Sequence, residues 1–423
     1  MTRAPRRRWF SVAASGLIAL VGSPALAADD AADDADFFDL YGWSVAADGE
    51  HLVVGAPGDN EGGLNAGAVY IYERDDDAWR LKEKLLSDPP RPFRYFGASV
   101  ALAGDLLVVG APNDYNRRPD AQGPGEAHVY RRSGRRYALD AVLVAEPATI
   151  RDNFGGAVAT DGARVIVGAS RLYYGDEVRS RAFVFADAGG WGLVGAPLES
   201  SLPWACLPSF STPCADPAYY FGASVAIDGD WAMVGDPMRE DTTVFRRDAD
   251  TWSEHSHVAE ASVLSVAGDV AALSGRLYGL AADEGAWEPL APGFAGTEPT
   301  IAALRGDLAV VSTVVTEEPE VVLHYDLHRR DGAAWPTEAS LMDEERGRNT
   351  RYNVRSTAVS DAVVAFGRAQ ADVVPEVEGV GDYAGRVELF SLDGAPLEPL
   401  TADTEGCACA AAPAPRGGAA AWL

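Results

Sequence analysis

Six histidines, four cysteines and a recurring set of Asp-Gly pairs are the residues of this 423-residue chain whose chemistry invites a functional reading. Of the histidines only His255 and His257 stand close together. On an alternating strand they would share a face, yet no third ligand accompanies them, so they read as surface residues and no metal is expected. Cys206 and Cys214 lie in one loop, WACLPSFSTPC, where an oxidising compartment favours a local disulfide worth about 2 to 3 kcal/mol. Cys407 and Cys409 stand near the C-terminus in GCACAAAPAPRGGAAAWL, and the four together are too dispersed for zinc. No nucleophile elbow, His-Glu-x-x-His zinc motif or phosphate loop is present, and no cofactor is implied. The Asp-Gly pairs are the informative signal, because they repeat.

They occur as Asp48-Gly49, Gly104-Asp105, Asp161-Gly162, Asp228-Gly229-Asp230, Gly268-Asp269, Gly306-Asp307 and, weakest, Ser360-Asp361. Each sits between a short strand (SVAA, SVAL, AVAT, SVAI, VLSV, IAAL, TAVS) and an apolar run (LVVGAP, LVVGAP, VIVGAS, AMVGDP, AALSG, AVVST, VVAFG). A variable loop and an alternating strand such as GAVYIYER or RAFVFAD follow. A second tight turn then leads to a strand headed by Trp79, Tyr137, Trp191, Trp252, Trp287 or Trp335 in six units and by Leu397 in the seventh. Period-2 alternation with β-branched and aromatic enrichment, cut by Gly and Asp, marks short antiparallel strands. Four strands in each of seven units of roughly 50 residues predict an all-β fold, a seven-bladed β-propeller, because radial closure hides the edges an open array would expose. A linear β-solenoid has shorter coils and lacks two hairpins per repeat. Two modes of ring closure are open: Leu397 to Leu400 completing blade seven, or Phe37 to Leu40 pairing with it.

The phrases FGASVA, LVVGAP and GAVYIY resemble the FG-GAP repeat of integrin α-subunit propellers and their bacterial relatives, strongly in units one to four and as a pattern in units five to seven. The resemblance implies the fold over residues 41–402 and leaves the activity open. In the integrin propellers the first hairpin of several blades is enlarged into an Asp- and Asn-rich calcium loop. Calcium takes about six or seven oxygens, and the two or three residues present here cannot encircle it. The Asp-Gly pairs are therefore read as turn formers that tolerate positive φ. The leading tryptophans are read as outer-strand packing, and the Gly-Ala-Pro words as places where small residues let blades approach and Pro ends the ladder.

Propeller geometry places the strand 1–2 and 3–4 turns on one face and the strand 2–3 and inter-blade connections on the other. The first set is uniformly short. The second holds the long members, including PGDNEGGLNA, PNDYNRRPDAQGPGE, SRLYYGDEVRS, SDPPRPFRY, DEERGRNTRY and the cysteine loop. Binding residues concentrate on long loops held by a rigid scaffold, so this face is the candidate recognition surface. Its aromatic and arginine members, Phe93, Arg94, Tyr115, Arg117, Tyr173, Tyr174, Trp204 and Tyr219, are of the types that anchor contacts. The expected work is binding a protein or glycan, and no catalytic residue is assigned. The alternative is a sialidase-like glycoside hydrolase, whose Asp-box pattern DEGAW and DGAAW approach without satisfying.

The ends complete the plan. Residues 1–27, with an arginine-rich start and a short apolar run ending Ala25-Leu26-Ala27, read as a signal peptide; Arg7-Arg8-Trp9-Phe10 also resembles a twin-arginine signal. Removing that segment takes away four arginines and no acid, moving the formal charge from -28 to -32. Such a surface argues against nucleic acid and anionic lipid partners. Residues 28–40 form an acidic linker, 41–402 the propeller and 403–423 a tail. That tail resembles the front half of a myxobacterial surface-sorting signal, with Cys407 as the position of processing or anchoring. An exported or surface-displayed monomer is the expectation, with membrane contact only through such an anchor.

Overall fold

The computed structural model describes residues 39–402 apart from 77, 114–122, 147–152, 171–179, 203–219, 261, 282–284, 291–296, 318–319, 333, 347–355, 369–384 and 398–400. It is a seven-bladed β-propeller with no helix among the described residues. Blade 1 shows the plan: Ser44–Asp48, His51–Ala56, Ala68–Asp75 and Ala78–Leu86 pair antiparallel in sequence order. The others occupy 99–143, 154–193, 224–258, 263–289, 297–346 and 356–390. Each inner strand touches the inner strand of the next blade, and Ser356–Val359 against Ser44–Asp48 completes the circle.

Second strands are the driest elements; Leu52, Val53 and Val54, like Leu107, Val108 and Val109, are fully buried. Their alternate residues feed the two spaces flanking the blade. Val54 joins the cluster shared by blades 7 and 1, and Val53 the cluster shared by blades 1 and 2. Each core is thus a slab between two blades, and what limits its thickness is how closely the backbones approach.

The repeated phrase sets that approach. A Cβ on Gly55 would lie 2.1 Å from the Gly97 carbonyl oxygen of the next blade, and one on Gly110 2.0 Å from that of Gly155. Ser44 Oγ donates to the same Gly97 oxygen at 2.8 Å, and Ser99 Oγ to Gly155 at 2.8 Å. A Cβ on Gly67 or Gly125 would collide at 2.1 Å with the carbonyl oxygen of Phe96 or Phe154, each a fully buried aromatic of the following blade. The aromatic-Gly pair of one repeat therefore locks into two glycines and a serine of the repeat before it.

Ring closure reuses this clasp. Tyr41 bridges Gly385 of blade 7 in parallel, Ser356 Oγ donates to the Gly42 carbonyl at 2.9 Å, and a Cβ on Gly367 would meet that oxygen at 2.1 Å. The N-terminal contact with blade 7 is made at Tyr41-Gly42, just past the Phe37 to Leu40 segment offered as one of the two closures, of which 37 and 38 lie outside the described residues. Blade 7 has three strands among the described residues; Pro396 bridges Phe390 and the Leu397 amide donates to Leu389 at 3.2 Å along its outer edge, and residues 398–400 lie outside the described residues. A further pairing was not foreseen: Thr401–Ala402 lies parallel to Arg80 and Leu81 as a fifth strand on blade 1.

The turn glycines adopt the left-handed conformation expected of tight hairpins, from +54° at Gly49 to +87° at Gly162. Of the leading aromatics, Trp79, Tyr137, Trp287 and Trp335 are buried, and Trp191 donates its indole N–H to Asp140 of the preceding blade at 2.9 Å.

Candidate functional site

The short-turn face spends its polar groups internally. Asp48 accepts from the Gly104 amide of the next blade, and Asp228 from Gly268 at 2.6 Å. Asp161 caps its own turn, taking the Ala163 and Arg164 amides at 2.9 and 2.7 Å and the Arg164 guanidinium at 2.8 Å. Arg132 pairs with Asp105 and Arg247 with Asp230, each at 2.6 Å, both from a third strand to the turn ahead of it. These hairpin carboxylates staple turns together. Among the described residues no group of three or more His, Cys, Asp or Glu side chains is placed to hold a metal ion.

Inner strands surround an axial cavity of about 990 Å³, walled by residues such as Val100, Val158, Val225, Ser265 and Thr357. The turn position that carries Asp48, Asp161 and Asp228 carries Arg305 in blade 6. That guanidinium crosses the short-turn mouth, donating to the Ala47 carbonyl at 2.8 Å and pairing with Asp48 at 2.5 Å. Sequence reading passed over Arg305, although aligning the seven turns isolates it as the one cation in its column.

The long-loop face is built differently. Over blade 1, the loop after Pro57 is folded around Asp59, which is buried. Its carboxylate accepts from the Glu61 amide at 2.9 Å and the Tyr70 hydroxyl at 3.0 Å and pairs with Lys84 at 2.9 Å. The inter-blade loop 87–95 lies along it, with the Phe93 amide donating to Leu64 at 2.8 Å and the Tyr95 amide to Asn65 at 3.1 Å. The outcome is a braced platform with half-buried Phe93 beside Leu64, which is 53% exposed.

Arg94, predicted with Phe93 as a contact residue, turns inward. It is 7% exposed and pairs with Glu126 at 2.6 Å, while His128 Nε2 lies 3.1 Å from the other oxygen of that carboxylate. Burial alone would raise the Glu126 carboxyl; the hydrogen bonds from His128 and Arg94 overcome it and hold the pKa at about 2. Arg94 therefore ties loop 87–95 to blade 2. Tyr115, Arg117, Tyr173, Tyr174, Trp204 and Tyr219 lie outside the described residues, as do Cys206, Cys214, Cys407 and Cys409.

His255 and His257 do not share a face. A bulge in the outer strand of blade 4, Thr251–Val258, falls at His255 and breaks the alternation. His255 packs edge-on against Trp231, at 5.0 Å between centroids, in the space toward blade 5. His257 sits between Asp241 and Glu254, with Nδ1 and Nε2 at 3.0 and 2.9 Å. Both rings are half-buried rather than on the open surface. Glu254 in turn accepts from the Ser201 amide at 2.7 Å and from its hydroxyl. Ser201 belongs to the connection between blades 3 and 4 that leads into the cysteine loop.

The FG-GAP repeat family model matches residues 26–72 and 79–130. The second match runs from the outer strand of blade 1 into the third strand of blade 2 and holds the Phe96-Gly97 half of the clasp between them, while Ser44, Gly55 and Gly67 fall in the first match. No curated protein matches the chain. Among solved structures, a periplasmic gluconolactonase of Pseudomonas aeruginosa is 15% identical over 78% of this chain and 91% of its own, with a TM-score of 0.46. A putative 6-phosphogluconolactonase of Bacteroides uniformis is 10% identical over 72% and 88%, with a TM-score of 0.43. An ulvan lyase is 9% identical over 87% and 96%, with a TM-score of 0.42. At such distances no activity passes to this chain. Blades 3 and 4 lie outside the family matches yet keep the clasp, a Cβ on Gly168 falling 2.0 Å from the Gly222 oxygen. The chain is a seven-bladed β-propeller whose first two blades match the FG-GAP repeat family model.

Proposed function

We propose that this propeller is an exported binding module that recognises a protein or glycan through its long-loop face. The observation that carries the reading is the contrast between the faces. On one, turn carboxylates and arginines are consumed by bonds within a blade and to the next blade. On the other, loops 57–66 and 87–95 brace each other and present Leu64 and Phe93 at the surface. A rigid scaffold that presents aromatic and apolar groups on long loops supports binding. A partner would meet a strongly acidic molecule, so basic or neutral surfaces are favoured over nucleic acid.

The test is a glycan array and a pull-down from the environment of the producing cell, both with the full chain and with the double variant Leu64→Ser/Phe93→Ser. A ligand captured by the parent and weakened at least about tenfold in the variant supports the reading. A ligand held equally by both, or robust turnover on a panel of chromogenic glycosides, overturns it.

A further inference from the structure

His257 has a carboxylate at each ring nitrogen, an arrangement with a definite protonation requirement. Asp241, at the start of the third strand of blade 4, is 3.0 Å from Nδ1, and Glu254, on the outer strand, is 2.9 Å from Nε2. Thr243 Oγ1 is 3.5 Å from Nδ1 and 3.1 Å from Asp241. A neutral imidazole has one N–H and one lone pair, so it can satisfy one carboxylate while turning a lone pair on the other. Only the imidazolium donates to both. The remaining charged neighbours do not relieve this requirement. On the hairpin between the second and third strands, Asp236 stands in register with Asp241 and pairs with Arg239 at 3.5 Å. On blade 3, Arg181 is held by Glu199 at 2.8 Å across a cavity that Glu254 also lines.

Glu254 relays this state to the backbone. The same carboxylate that faces His257 holds the Ser201 amide and hydroxyl. We infer that His257 is a proton-controlled latch: as imidazolium it orients Glu254 to fasten the connection between blades 3 and 4, at Ser201, onto the outer strand of blade 4. On losing its proton the ring repels one of its two carboxylates and the fastening loosens. As regulation of the long-loop face this rests on the binding reading above; the latch itself is measured without any ligand.

Burial disfavours the charged ring, but the hydrogen bonds it donates to Asp241 and Glu254 outweigh it and raise the His257 pKa above its ordinary 6.5. For Glu254, burial is outweighed by its bonds from Ser201 and His257, which lower its pKa below its ordinary 4.5. A raised histidine contributes fully below pH 6.5 and is lost as pH climbs through the raised value. A lowered carboxyl contributes fully above pH 4.5 and is lost as pH falls through the lowered value. The latch is therefore complete between pH 4.5 and 6.5 and opens on the alkaline side.

The experiment is hydrogen exchange of the full chain followed by mass spectrometry at pH 5.5 and 8.5, with rates divided by the intrinsic exchange rate at each pH. The expected result is severalfold greater protection of the peptide containing Ser201 at pH 5.5, a ratio near one in His257→Gln, and an opening midpoint shifted to lower pH in Asp241→Asn. Equal protection at both pH values in the parent, or the parent's ratio persisting in His257→Gln, overturns the latch. If His257→Gln fails to fold, an unmoved midpoint in Asp241→Asn overturns it equally. Because the readout contains no ligand, failure here leaves the binding reading standing, and failure to find a ligand leaves the latch standing.

Discussion

Replacing Gly110 with alanine tests whether the clasp sets the blade spacing. Its new Cβ would lie 2.0 Å from the Gly155 carbonyl oxygen and 2.2 Å from Ser99 Oγ. An ordinary carbon–oxygen contact is more than an ångström longer than the first of these, and the obstacle is backbone of the neighbouring blade, which cannot rotate away. The two blades must part, thinning contacts through the buried slab that Leu106, Val108, Phe154 and Val165 help to fill. Overpacking of this kind costs about 3 kcal/mol. Gly229→Ala is the control: nothing lies within 4 Å of its Cβ, and its φ of +56° charges only the left-handed penalty of about 1 to 2 kcal/mol. At about 2 °C per kcal/mol for a chain of this size, calorimetry should show Tm falling by about 6 °C in G110A and about 3 °C in G229A. Ser99→Ala removes the 2.2 Å obstacle and leaves the 2.0 Å one, so S99A/G110A should be no more stable than G110A. If G110A is as mild as G229A, or Ser99→Ala rescues it, the blades do not meet as described.

Gly367→Ala, which meets the Gly42 oxygen at 2.1 Å, should lower Tm as much as G110A, since the closing joint is built like that between blades 2 and 3; a much smaller loss would show that the ring closes by different means. Millimolar calcium should leave Tm unchanged, because the turn carboxylates already serve amides and guanidinium groups, while Asp228→Ala should cost about 1 kcal/mol with or without calcium through the lost bond to Gly268. Arg94→Ala strands Glu126 beside His128 and should destabilise by about 3 kcal/mol at pH 7. A lowered carboxyl contributes above pH 4.5 and loses that contribution as pH falls toward about 2, so urea midpoints of the parent and R94A should converge over that range.

The propeller was legible in the sequence because turn chemistry and strand alternation are local properties. Asp228-Gly229-Asp230 announces a hairpin whatever surrounds it, and the shortness of that hairpin was enough to move attention to the other face. What stayed hidden depends on residues far apart in the chain. Ser44 and Gly97 meet only once two blades are in place, and nothing near Thr401 points to Arg80 as its neighbour. Arg94 was mistaken for an outward contact because its partner Glu126 lies beyond a long loop. The bulge at His255 defeated a reading that assumed strict alternation, and the pairing of His257 with Asp241 follows from that displacement.

Arg305 has a mechanical consequence. Every clasp joins a blade to its immediate neighbour, so a ring held by clasps alone could spring open like a split washer wherever one of them failed. Arg305 runs instead as a chord, from blade 6 to Asp48 and Ala47 of blade 1, spanning the very joint where the first and last blades meet. Parting that seam means breaking the chord as well as the joint, which makes the place where the first and last blades come together doubly fastened.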